Sequence, residues 1–401
     1  MSLFIIWLMT LKILHVIPSV SPIRGGPSQA IFEMTASLQI YEGIEIEIVT
    51  TNDNGSEILD VPLHKLLNYN NSQVRFFSRF SPKLSAIREF AFSFDLTKWL
   101  WRNIQEYDLV HVHAIFSYPS TIAMAIARLR KVPYITRPLG QLCEWSLAQG
   151  AFKKKLFLHL IERSNLNGSK KLHLTSYQEK SEVNKLHLSS SGFVIPHGLD
   201  VPPKISNAHQ LLRDHFKLLS DEPIILFLSR IHEKKGLEFL ISALDIIRTK
   251  RFTFILAGNG EPSYEKEIDY LIDKHTLCDR VIKTGFVEGE IKKILLQGSD
   301  LFALTSYSEN FGVSVLEALA VGTPALVTPG VALSFEIEKY DLGYVVPQEA
   351  TNIANALSRH LDSSPSEIDV ISKRAEHFVS EHYKWENNAS NIMDVYMEAL
   401  N

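Results

Sequence analysis

The stretch DLFALTSYSENFGVSVLEALAVGTPALVTP, residues 300–329, decides the fold. DLFALT is a short apolar run without helical period, so it reads as a strand buried on both faces. SYSEN is a polar loop, and FGVSVLEALA carries apolar residues at helical spacing until Gly322 and Pro324 stop it. PALVTP is then a second buried strand. Strand, helix and strand in close succession predict a parallel βαβ unit with a right-handed crossover. In such a unit the loop after each strand lies at the carboxyl edge of the sheet, where open α/β sheets bind ligands.

Outward from this stretch the same alternation runs along the whole chain. In the first half, strands are expected at 12–18, 44–50, 108–114, 132–136, 171–176 and 192–197, with helices at 28–40 and 121–130. In the second half, strands are expected at 223–229, 252–258, 280–285, 300–305 and 324–329, with a helix at 235–247. The proline-rich and polar stretch PHGLDVPPKISNAH, 196–209, interrupts the rhythm and reads as a linker. At 401 residues, two domains are expected, 1–198 and 199–382. A terminal helix, 383–401, is expected to pack back on the first. The fold class is α/β, two doubly wound Rossmann-like domains facing a central cleft.

The composition is 45% hydrophobic and 21% charged with a net charge of −4, which gives no general pull toward nucleic acid or an anionic membrane, so any basic partner surface must be local. Cys143 and Cys278 are the only cysteines and lack ligand spacing, so neither a disulfide framework nor a structural zinc is indicated. The uncharged run before Lys12 is about ten residues, against the ~20 of a spanning helix. Residues 1–9 read as an extension of the first strand, or as an upstream start with Met9 the functional one. A cytoplasmic location is expected, with peripheral membrane contact as an added reading. GAFKKKLFLHLIER, 150–163, carries that reading, because it joins three lysines to a Phe/Leu/Ile face. The competing account is an ordinary amphipathic core helix with a basic first turn.

Five stretches carry candidate chemistry. Glu309 precedes a helix start whose free N–H groups favour anions or hydroxyl oxygens, and Glu317 lies about two turns on. Ionised carboxylates only accept hydrogen bonds, so the pair suits a ligand with several hydroxyls; a helix cap and a solvent-facing residue are the bland account. FLSRIHEKKGLEFL, 227–240, puts Arg230 and Lys235 in one strand-end loop, able to neutralise charge on a departing diphosphate. Lys234 reads as ordinary helix-start surface. LAGNGE, 256–261, holds Gly258 and Gly260 after a strand, only half of a dinucleotide fingerprint. SPIRGGPSQA, 21–30, sets Gly25 and Gly26 before a helix that starts near Pro27, with Arg24 adding charge there or lying exposed. VHVHAIF, 110–116, places His111 and His113 on one face of a strand, with no third metal ligand visible at useful spacing.

Together these stretches resemble the retaining glycosyltransferases of family 4, which have the GT-B fold. The set is S-R-(x)4-K-G, L-A-G-N-G-E, and E-(x)7-E followed by A-L-A-x-G-T-P, with HVIPSVSPIRGGPSQA and VIPHGLD in the first half. The resemblance implies that the second domain holds a nucleotide-diphosphate sugar and the first holds the acceptor. It implies that Arg230 and Lys235 grip the diphosphate, Glu317 takes ribose hydroxyls, and Glu309 contacts the donor sugar. Backbone amides around Asn310, Phe311, Gly312 and Val313 would hold sugar and phosphate, and the Gly258–Gly260 loop would lie against the nucleotide. Gly25 and Gly26 would reach over the phosphates, and His113 would stand beside the reacting sugar. Arg137, Gly140 and Glu144 in TRPLGQLCEW are the acceptor candidates. His197 stands where relatives usually carry asparagine, which puts that amide's hydrogen bond in doubt.

The expected reaction is transfer of a sugar to an acceptor hydroxyl with retention, in polysaccharide, glycolipid or lipid-linked glycan synthesis. A leaving-phosphate oxygen is expected to take the acceptor proton. No Asp-x-Asp occurs in the chain, so no metal and no cofactor are expected. Three other readings stay open: a glycoside hydrolase using Glu309 and Glu317, a nucleotide-sugar 2-epimerase, and a catalytically silent carbohydrate-binding protein.

Overall fold

A computed structural model describes residues 10–218 and 222–401. The readings of residues 1–9 lie outside them. The chain divides into two compact units, one made of Met1–Gly198 with Trp385–Asn401, the other of Leu199–Lys384.

In unit 1 the strands are β1 (Leu11–Val16), β2 (Ile44–Thr51), β3 (Asp53–Asn54), β4 (Glu57–Ile58), β5 (Leu66–Tyr69), β6 (Ser72–Phe77), β7 (Leu109–His113), β8 (Tyr134–Arg137), β9 (Lys171–Leu174) and β10 (Gly192–Val194). Apart from the small β3–β4 ribbon they form one sheet in the order β10-β9-β8-β7-β1-β2-β6-β5. All pairs in that sheet are parallel except β5 with β6. β5 and β6 lie outside the strands expected from sequence. LLNY is half exposed and QVRFF alternates apolar with polar, so neither shows the continuous apolar run of a buried parallel strand.

Helices cover both faces of this sheet, and the inward side chains sort accordingly. Leu14, Val16, Val110, Val112 and Leu172 pack on one face. Ile13, Ile46, Ile48 and Ile135 pack on the other, under the helices Gly26–Leu38 and Trp385–Leu400. The terminal helix is therefore a layer of unit 1. Its first residue, Trp385, lies flat on Gly198, where a Cβ would come within 2.3 Å of the indole. The indole N–H donates to Glu33 at 3.0 Å, and the Asn388 amide donates to the Pro196 carbonyl at 3.1 Å.

Unit 2 contains β11 (Ile224–Leu228), β12 (Thr253–Ala257), β13 (Val281–Gly285), β14 (Leu301–Leu304), β15 (Ala325–Val327) and β16 (Gly343–Val345). These form a fully parallel sheet in the order β13-β12-β11-β14-β15-β16. β11, β12, β14 and β15 are buried at every position, which is why each reads as an unbroken apolar run. The chain order reverses between β11 and β14, so the loops after those two strands meet at a topological switch point.

Candidate functional site

The loops after β11 and β14 are stitched together before any side chain is considered. The Tyr307 N–H donates to the Lys234 carbonyl at 2.9 Å, and the Thr305 hydroxyl donates to the Gly236 carbonyl at 2.8 Å. Gly236 is obligatory here: its φ is +60°, and a Cβ would stand 2.3 Å from the Thr305 carbonyl oxygen. The Glu309 N–H donates to the Gly330 carbonyl at 2.7 Å, which ties in the loop after β15.

On this frame the Lys235 ammonium and the Glu309 carboxylate form a direct ion pair, with side chains only 11% and 18% exposed. Burial alone would raise the Glu309 pKa, but Lys235, Lys234 and Arg230 outweigh it and hold the carboxyl below its usual value. Arg230 itself is exposed and joins no ion pair among the described residues. Two cations and an ionised carboxylate thus share one strand-end mouth. The expected diphosphate grip of Lys235 meets a competitor already in place, because a half-sequestered carboxylate requires a counter-charge.

Glu317, expected to be open to ribose hydroxyls, is engaged as well. Its Oε1 accepts from the Lys292 ammonium at 2.6 Å, with the carboxylate side chain 10% exposed. Lys292 comes from the helix Gly289–Gly298, a neighbour only in space, so no spacing in the chain pointed to it. The helix bearing Glu317, Val313–Ala320, begins after Gly312, whose φ of +87° marks a left-handed cap. Asn310 and Phe311 lie in the turn before it, and Phe311 is buried.

Gly258 and Gly260 have a more immediate reason than ligand approach. A Cβ at Gly258 would lie 1.9 Å from the Ser229 carbonyl oxygen, and one at Gly260 would lie 1.9 Å from that of Ile231. The Ile231 N–H donates to the Asn259 carbonyl at 2.8 Å, so the loop after β12 is laid onto the backbone beside Arg230. The glycines permit that contact and so shape the Arg230 loop.

In unit 1, Gly25 has open space around its α-carbon and caps the helix that starts at Gly26. Arg24 is neither exposed nor free for phosphates: it binds Asp53 at 2.6 and 2.8 Å and Glu89 at 2.6 Å. Arg137 and Gly140, expected as acceptor contacts, are buried. The Gly140 N–H donates to Glu179 at 2.6 Å, and Arg137 Nη2 donates to the His197 ring at 3.2 Å. The His197 ring thus acts as the acceptor for Arg137. Glu144 is exposed and pairs with Lys185 at 2.6 Å.

The two histidines of β7 are not alone. In the sheet register His15 of β1 lies beside His111, and Arg137 of β8 lies beside His113. Nitrogens of His15, His111 and His113 fall within 4.8 Å of one another, so the third imidazole invisible in the spacing comes from another strand. All three rings are buried, and burial keeps them neutral, with His15 brought down to about 3. The Arg137 charge acts in the same direction, and burial brings Arg137 itself down to about 10.

The helix around 150–163 does not behave as a core helix. Phe152, Leu156 and Leu160, one face at four-residue spacing, are 81%, 48% and 65% exposed. Lys153 and Lys155 beside them are exposed too. A second apolar segment, with Phe80, Leu84, Ile87 and Phe94 exposed, adjoins it through an edge-to-face contact of Phe90 with Phe157. Among the described residues no helix is long and apolar enough to cross a membrane.

Comparison with known proteins adds an independent line. Residues 25–198 match the profile of a glycosyl transferase 4-like domain, and residues 210–384 match that of glycosyl transferases group 1. An uncharacterised glycosyltransferase of Methanocaldococcus jannaschii is 34% identical over 189 residues, 45% of this chain and 46% of that protein. A D-inositol 3-phosphate glycosyltransferase of Xylanimonas cellulosilytica is 24% identical over 73% of this chain and 72% of its own length. An alpha-monoglucosyldiacylglycerol synthase of Acholeplasma laidlawii is 23% identical over 73% and 76% respectively. Among solved structures, Anabaena HepE in complex with UDP and glucose superposes with a TM-score of 0.75 at 19% identity, covering 97% of this chain and all of that one.

Proposed function

The chain belongs to the group 1 glycosyltransferases and has their GT-B fold, and from that premise we propose that it transfers a sugar from a nucleotide-diphosphate donor to an acceptor hydroxyl with retention of configuration. Unit 2 takes the donor and unit 1 the acceptor. The observation that carries this reading is the Lys235–Glu309 pair with Arg230 beside it, at the switch point of the unit 2 sheet. As the bond to the leaving phosphate breaks, negative charge grows where the two cations and the amides before the helix Val313–Ala320 can meet it. Lys235 then exchanges part of its contact with Glu309 for the diphosphate, and Glu309 turns toward the donor sugar. Glu317, steadied by Lys292 through one oxygen, offers the other to the ribose. The acceptor proton passes to a leaving-phosphate oxygen, so no separate base is required.

Relatives named for inositol-phosphate and diacylglycerol acceptors support a polyol or lipid-linked acceptor in glycan or glycolipid synthesis. The exposed Phe152, Leu156 and Leu160 stripe with Lys153 and Lys155 fits an anionic bilayer surface, which would bring unit 1 to such an acceptor.

A thermal-shift screen of UDP-, GDP-, ADP- and CMP-sugars tests the donor class. A ligand at 100 times its dissociation constant stabilises by ~2.7 kcal/mol. The product's anomeric configuration, read by NMR, tests retention. Stabilisation by a CMP-sugar alone would remove the diphosphate assignment. We also assign no metal to the reaction; activity lost to EDTA and restored by magnesium would refute that.

A further inference from the structure

Five polar side chains form one hydrogen-bonded chain in the core of unit 1. His113 Nε2 meets His15 Nδ1 at 3.0 Å, and His15 Nε2 meets the Tyr396 hydroxyl at 3.4 Å. That hydroxyl meets His111 Nδ1 at 2.7 Å, and His111 Nε2 meets His173 Nδ1 at 3.3 Å. The chain ends where His173 Nε2 lies 3.0 Å from the Ile195 carbonyl oxygen. Every member is buried to 1% exposure or less.

The last link determines the direction of all the others. A carbonyl only accepts, so His173 carries its proton on Nε2. A neutral imidazole has one N–H, so His173 Nδ1 accepts from His111 Nε2. By the same rule His111 Nδ1 accepts the tyrosine O–H, the tyrosine oxygen accepts from His15 Nε2, and His15 Nδ1 accepts from His113 Nε2. One lone pair is left over, on Nδ1 of His113, for which no partner stands among the described residues. All four rings are neutral, kept so by burial and by the nearby Arg137 guanidinium.

We propose that Tyr396 and His15 are positioning residues that hold His113 in its Nε2–H tautomer, so that Nδ1 meets the substrate as a hydrogen-bond acceptor for a sugar hydroxyl. This rests on the reading that places His113, at the end of β7, beside the transferred sugar. The terminal helix Trp385–Leu400 is then part of the sugar site's construction, because it alone delivers the hydroxyl that links the two halves of the chain. A transition metal held by His15, His111 and His113 is the rival explanation. It would need the lone pairs of His15 Nδ1 and His111 Nδ1, which already receive the His113 N–H and the Tyr396 O–H, and it would place a second positive charge near Arg137.

The test is the imidazole 15N spectrum of the full-length, isotope-labelled protein, with His113 assigned by its loss in His113→Asn. The expected wild-type pattern is a pyridine-like Nδ1 and a pyrrole-like Nε2. In Tyr396→Phe a proton on His15 Nε2 would have no acceptor, so His15 protonates at Nδ1 and the His113 pattern inverts. The donor KM then rises about five- to tenfold, the worth of one hydrogen bond turned from acceptor to donor, while kcat changes less. His173→Asn, which cuts the anchor without touching Tyr396, gives a mixed His113 pattern and serves if the first variant does not fold. A protonated Nδ1 in the wild type, or an unchanged pattern in both variants, overturns the proposal. So does one equivalent of zinc or copper in the purified enzyme that is lost in His15→Ala. If the spectra behave as expected but no nucleotide sugar is turned over, the tautomer lock stands and the transferase reading falls.

Discussion

Replacing Lys235 by methionine removes one charge and keeps most of the side chain's length and apolar packing. In the wild type, Lys235 together with Lys234 and Arg230 overcomes the burial that would otherwise keep Glu309 protonated. Breaking a fully buried pair costs about 3–5 kcal/mol, because one charge is left without its partner. Here the side chains retain 11% and 18% exposure and two cations remain nearby, so about 2 kcal/mol is the reasoned loss at pH 7. The pH dependence has a definite sign. A carboxyl whose folded pKa is depressed adds stability above its unfolded pKa and loses it as the pH falls through the folded value. In Lys235→Met the burial effect gains weight and the folded pKa moves upward. The deficit of the variant is then largest near neutrality and shrinks as the pH falls through the variant's raised pKa, closing only below the depressed wild-type value, where Glu309 is protonated in both proteins. Thermal unfolding of both proteins at pH 7, 6, 5 and 4 measures this convergence. Turnover at saturating donor should fall ~10²–10³-fold, as for loss of one group that stabilises leaving-group charge. A constant stability gap across the pH series, or kcat within threefold of wild type, would refute the placement of charge described above.

Three further outcomes follow from geometry. Gly258→Ala sets a methyl against the Ser229 carbonyl at 1.9 Å with φ at +140°, so a loss of roughly 2–4 kcal/mol and a weakened donor response are expected in chemical unfolding and thermal shift. Trp385→Ala empties the space over Gly198 and breaks the bond to Glu33, so unit 1 should lose about 3–5 kcal/mol, seen as an earlier unfolding transition of that unit. Phe152→Glu with Leu160→Glu removes two exposed apolar contacts from the stripe. Binding to vesicles rich in phosphatidylglycerol should fall at least tenfold, by the order of 25 cal/mol per Å² of apolar surface, with the melting midpoint unmoved; equal binding by the double variant counts against the membrane surface.

The organisation of the chain was open to reading because a parallel sheet covered on both faces writes itself as runs of apolar residues. ILHV, LVHVH, IILFL, TFILA and LFAL are all such runs, and they lie in buried strands. Arg230, Lys235, Glu309 and Glu317 could be singled out because each follows closely on a strand end or a helix start, where local order alone brings it to the carboxyl edge. β5, β6 and β16 lie outside the strand expectations: β5 and β6 mix polar with apolar residues, and β16 is only three residues long.

What the amino-acid order determined, then, is the alternation of elements, the two-unit architecture and which loops carry charge. These depend on periodicity and on residues near one another in the chain. Only the tertiary structure decided who answers whom. Lys292 engages Glu317 from another helix. His15 joins His111 and His113 from a neighbouring strand. Tyr396 reaches them from the far end of the chain. Buried charge and buried hydrogen-bonding groups must be satisfied by whatever lies across the core, and that partner is set by packing rather than by spacing.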